Sequence, residues 1–85
     1  PMAMPQVPVT LTPEQIAELN QKLSTMRHDI NNNLAMIMAA AELARLKPEL
    51  ADKMIGRLIE QPTKITDQIK QFSVEFEKTV GITRP

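Results

Sequence analysis

Leu46-Lys47-Pro48-Glu49-Leu50 is the stretch at which this chain has to turn. Proline drives the residue before it out of the helical region, so Lys47 ends one helix. Its fixed φ suits a first helical turn, so Pro48 opens another. The sequence on either side reads as helix, and this interruption therefore predicts two.

Upstream, apolar residues recur at Ile16, Leu19, Leu23, Met26, Ile30, Ile37, Ala40 and Ala44, with Asn33 in the one gap. Alternating spacings of three and four make a heptad seam. Thr12-Pro13-Glu14-Gln15 supplies the start: Thr12 as cap, Pro13 at the first helical position and Gln15 closing a capping box. Leu11 and Ile16 are placed as a hydrophobic staple. Downstream, Ala51, Ile55, Leu58, Pro62, Ile65, Ile69, Phe72 and Phe76 repeat the seam. Pro62 falls in phase with it, which predicts a kink rather than a break, with two shorter helices as the alternative. Gly81 suits a left-handed cap after Val80.

The expected organisation is a disordered lead-in over 1–10, with Pro1 left by tag cleavage, a helical region over 11–81 and a frayed tail over 82–85. Helix 1 runs from about 13 to 46 and helix 2 from about 48 to 79. Two helices of this length, each ~45–50 Å long, make an antiparallel hairpin when joined tightly. A lone hairpin leaves much of both seams wet, so the all-α fold expected is a two-helix hairpin that homodimerises into a four-helix bundle.

Composition narrows the function. The chain has 85 residues, no Cys, one His and a formal net charge of zero. Disulfides and thiolate metal sites are excluded, and a zinc site on one His is not expected. A neutral balance with no basic stripe speaks against nucleic acid, and two Phe with no Tyr or Trp give no base-stacking platform. No apolar run has the length of a membrane span and no secretory signal is visible, so a cytoplasmic protein without membrane contact is expected.

One segment breaks the local rule. In Arg27-His28-Asp29-Ile30-Asn31-Asn32-Asn33-Leu34, His, Asp and three Asn interrupt a run of good helix formers, at a local cost of ~2–3 kcal/mol. Such breaches tend to mark function. With Leu23 and Ile30 at a and Met26 at d, His28 falls at f, facing water. Asn32, four residues on, shares its face, and Asn31 flanks it. Asp29 is adjacent, placed to orient one ring proton and leave the other nitrogen as a nucleophile. Asn32 is placed to hold a water in line with a phosphoryl group. A surface His without a role and a solvated Asn face are the plainer alternatives.

His28-Asp29-Ile30-Asn31-Asn32-Asn33-Leu34 resembles the H-box of bacterial sensor histidine kinases, in their dimerisation and histidine-phosphotransfer domain. The resemblance spans roughly Leu11 to Val80. It implies His28 as phosphoacceptor, Asp29 as the assisting base and Asn32 as the residue supporting receiver dephosphorylation. Asn33 stands where the family usually has Pro, which implies a weaker helix bend. The chain carries no Gly-rich nucleotide lid, so ATP and Mg would act only through a separate kinase ATP-binding domain; no cofactor or metal is expected in this chain.

From Ile30 to Ala41 no side chain is charged. Ala35, Met38 and Ala39 fall at outward positions on the His28 side, and small residues with adaptable Met suit a partner helix. The resemblance implies that a response-regulator receiver docks there and at the start of helix 2, which adds Met54 and Arg57 to Asn31, Ala35, Met38 and Ala39 as partner-binding residues. The function expected is relay of a phosphoryl group between His28 and a receiver aspartate, with receiver phosphatase activity. The alternative is a non-catalytic module of the same fold that dimerises or docks a receiver or kinase.

Overall fold

A computed structural model describes residue 5 and residues 7–81. Residues 1–4, 6 and 82–85 lie outside it, and with them half of the expected lead-in and all of the expected frayed tail. Among the described residues the protein is all-helical, with two long helices and no strand. Helix α1 spans Pro13–Leu46 and helix α2 spans Ala51–Val80, joined through a single 3-10 turn at Pro48–Leu50.

Each boundary has a local cause. Thr12 caps α1: its Oγ1 accepts from the Gln15 N–H at 3.1 Å, and its own N–H donates to Gln15 Oε1 at 2.8 Å. A cap of this kind is worth ~1 kcal/mol. Lys47, forced to φ −129° and ψ 84° before Pro48, stops the helix, and its N–H donates to the Leu43 carbonyl. The second helix does not begin as α-helix at Pro48; the 3-10 turn intervenes. At its far end Gly81 adopts φ 72°, the left-handed cap that Gly fills without steric cost, and donates to the Glu77 carbonyl. Pro62 lies inside α2 without breaking it. The bond that its missing N–H forgoes makes this an expensive residue for a helix interior.

The helices lie side by side, and the order of their contacts runs oppositely along the two. Lys22 reaches Glu75, Asn33 reaches Gln68, and Ala40 shares a groove with Met54 and Gln61. The pair forms a slab 58 × 28 × 13 Å, with a radius of gyration of 18.1 Å against ~12 Å for a compact chain of this size. Its interior is thin. Among the described residues the buried apolar ones are Ala40 and Met54, and two polar ones, Asn33 and Gln61, are buried with them.

This corrects the phase expected for α2. The row turned toward α1 is Met54, Gln61, Gln68 and Glu75, interleaved with Ala51, Leu58, Ile65 and Phe72. Ile55, Pro62, Ile69 and Phe76, expected in the seam, are exposed. The row sits a fraction of a turn away because three of its residues are polar, so an apolar pattern alone selects the wrong neighbour. In α1, Asn33 fills its place in the seam and is buried, while Ile16 is 55% and Leu23 is 38% exposed.

Two polar clasps bind the helices. Asn33 Nδ2 donates to Gln68 Oε1 at 3.0 Å. Lys22 Nζ donates to Glu75 Oε2 at 2.8 Å and lies 3.2 Å from Glu18. Bonding to Glu75, then Glu18, holds the Lys22 ammonium above its usual pKa, and Lys22 holds the Glu75 carboxyl below the usual carboxylate range. Gln61 is less well served: its Oε1 is buried with no partner, at a cost of ~1–3 kcal/mol for such a group.

Candidate functional site

His28 stands exposed near the middle of α1. Asn32, one turn further, is exposed beside it, with its Nδ2 3.3 Å from His28 Nε2. An amide N–H donates, so in this contact a neutral ring with its proton on Nδ1 offers its Nε2 lone pair to Asn32.

Asp29 is half-buried and makes no hydrogen bond to the ring. Successive helical residues diverge by ~100°, and the step from His28 carries Asp29 toward α2. There it lines a groove of about 350 Å³ between the helices, with Lys22, Met26, Gln68, Phe72 and Glu75. The structure therefore brings His28 and Asn32 together and sets Asp29 apart, on the groove wall.

A second groove, of about 180 Å³, lies nearer the interhelical turn. Its lining includes Met36, Ala39 and Ala40 of α1 and Met54, Arg57 and Gln61 of α2. Of the residues singled out for partner binding, Ala39, Met54 and Arg57 meet here, with Met54 buried at the helix interface. Asn31, Ala35 and Met38 are exposed and line neither groove. At ~100° per residue, His28 and Asn32 share the side of α1 that carries Thr25 and Ala39 of the groove walls, while Ile16, Leu23 and Leu34 fall on its other side; on α2, Ile55, Ile69 and Phe76 likewise fall on the side away from Arg57 and Gln71 of the groove walls.

No family model, curated protein or solved structure matches this chain.

Its chemistry rests on the residues themselves. Among the described residues no group of three His, Cys, Asp or Glu could hold a metal ion, and no helix is long and apolar enough to cross a membrane. The sequence reading missed Gln61, Gln68 and Glu75 as residues facing α1. Their signal was available: with Met54 they recur every seven residues, the period of one helix face.

Proposed function

We propose that this chain is a phosphoacceptor module of two-component signalling: an antiparallel helical hairpin, paired with a second copy in a four-helix bundle, that relays a phosphoryl group between His28 and a receiver aspartate. The observation that carries the reading is the exposed imidazole with the Asn32 amide at Nε2, on the flank away from the apolar rows. Those rows suit the second copy. An interior with, among the described residues, only Ala40 and Met54 as buried apolar residues is small for a helix pair standing alone, and association would bury Leu23, Ile55, Ile69 and Phe76. The His28 flank would then remain open to a partner.

In transfer, the Nε2 lone pair forms the N–P bond as the P–O bond to the departing carboxylate or nucleoside diphosphate breaks. The proton stays on Nδ1 or passes to a carboxylate, a role for Asp29 once it turns from the groove. Asn32 must leave Nε2 for the phosphoryl group to enter, and is then free to position water for the separate hydrolysis of the receiver's aspartyl phosphate, in which water attacks phosphorus and the aspartate carboxylate departs. The partners are a receiver domain, with Ala39, Met54 and Arg57 in its docking surface, and a kinase ATP-binding domain that brings ATP and Mg.

Incubation with phosphorylated receiver domains, or with kinase ATP-binding domains and ATP, tests this. Acid-labile label on the chain that is lost in His28→Gln is expected. A second reading, a non-catalytic docking or dimerisation module, draws on the groove lined by Ala39, Met54 and Arg57. It takes over if every donor leaves the chain unlabelled while a receiver still binds.

A further inference from the structure

The smaller groove contains a chemical demand that the protein does not meet. Gln61 is 2% exposed, and its Oε1 has no hydrogen-bond partner. Its amide Nε2 donates to the Arg57 carbonyl across 3.4 Å, long for such a bond, and the residue lines the groove. A buried carbonyl oxygen in want of a donor favours an occupant that carries one.

The rest of the lining says what else the occupant must be. Met36, Ala39, Ala40 and Met54 are apolar and ask for an apolar body. About 180 Å³ is room for one large side chain and falls below the ~300 Å³ at which sites for drug-sized molecules begin. Arg57 in the lining, with Lys53 exposed one turn before it, disfavours a cationic donor. A large apolar body with a neutral N–H or O–H is an aromatic side chain with a polar handle, and Met is a favourable neighbour for one. This chain has no Trp or Tyr, and its two Phe carry no donor. A second copy of these 85 residues supplies no such group.

We propose that this groove receives one Tyr or Trp side chain from a different protein, its ring packed among Met36, Ala39 and Met54 and its O–H or N–H donated to Gln61 Oε1. The slot opens on the flank opposite the apolar rows, so pairing of two copies leaves it accessible. It does not depend on His28 chemistry and serves a phosphorelay or a docking module alike.

The test uses the whole chain, labelled at the methionine methyls, titrated by NMR with indole and with indene, which has the same shape and no N–H. Indole is expected to shift the Met54 methyl and the Gln61 side-chain amide signals and to bind at least tenfold more tightly than indene. In Gln61→Met the difference disappears. The contrast in the native chain stands alone if that variant does not fold. His28→Gln titrates like the native chain, which separates this outcome from the fate of the phosphotransfer reading. Equal affinity for the two probes, or no shift at Met54 and Gln61 with either, overturns the proposal.

Discussion

Asn33 and Gln68 join α1 to α2 through a hydrogen bond of 3.0 Å between their side-chain amides, where a heptad seam would ordinarily place two apolar residues. Asn33 is buried and Gln68 partly so. Removing one partner strands the other, at ~1–3 kcal/mol for a buried polar group, whereas replacing both with apolar residues of similar size approaches neutral or better. Asn33→Ala is therefore expected to lower the urea-unfolding free energy by ~1–3 kcal/mol. Asn33→Leu with Gln68→Leu should recover most of the loss. A double replacement as damaging as the sum of the single ones would show that the two amides do not act as a pair.

The Lys22–Glu75 clasp should give stability a pH dependence of known sign. Glu75 has a folded pKa below its unfolded one, so its contribution is present above the unfolded carboxylate value and is lost as pH falls through the folded value. Lys22 is raised, so its contribution is present below the unfolded lysine value and is lost as pH climbs through the folded one. Thermal unfolding followed by circular dichroism should show a plateau at neutral pH with a decline on both sides. Glu75→Gln should flatten part of the acid limb. Both side chains are more than a third exposed, so added salt should shrink the effect. An acid limb unchanged in Glu75→Gln would remove the pair from the account.

What the sequence discloses divides between local and paired information. Thr12 with Gln15, Lys47 before Pro48 and Gly81 after Val80 act within a turn of themselves, and each has the conformation its residue type predicts. The exposure of His28 was also legible, because α1 keeps enough apolar residues to fix its phase. The phase of α2 was not. Gln61, Gln68 and Glu75 occupy the face toward α1, while Ile55, Ile69 and Phe76 stand exposed, so hydrophobicity points between two faces. Only knowing that Asn33 sits opposite makes a half-buried Gln68 sensible. The grooves depend on that pairing, and the placement of Asp29 on a groove wall follows from it too.

The exposed apolar rows predict how the chain associates. Ile69 is 47% and Leu23 38% exposed, on the same flank of the helix pair. A charge placed there costs little in a monomer and much in a bundle core. Ile69→Glu is expected to shift the sedimentation mass from dimer to monomer at micromolar concentration and to lower the melting temperature. Lys53→Glu, an exposed change of charge on the other flank, should alter neither substantially. A native chain that sediments as a monomer throughout, or a dimer indifferent to Ile69→Glu, would leave these rows without the role given them.

The Asn32 amide at His28 Nε2 makes a prediction independent of any partner protein. Donation from Nδ2 across 3.3 Å favours the tautomer with its proton on Nδ1 and its lone pair on Nε2. Long-range nitrogen–proton NMR correlations above the imidazole titration should report that tautomer in the native chain, and Asn32→Ala should move the equilibrium toward the Nε2-protonated form. If phosphoryl transfer is then reconstituted, Asn32→Ala should still accept label on His28 while slowing receiver dephosphorylation by about tenfold, the loss of one positioned amide at ~1.4 kcal/mol. An unchanged tautomer would show that the amide does not hold the ring in solution. Unchanged dephosphorylation would take Asn32 out of the hydrolytic step and leave its amide, at most, a means of keeping Nε2 unprotonated.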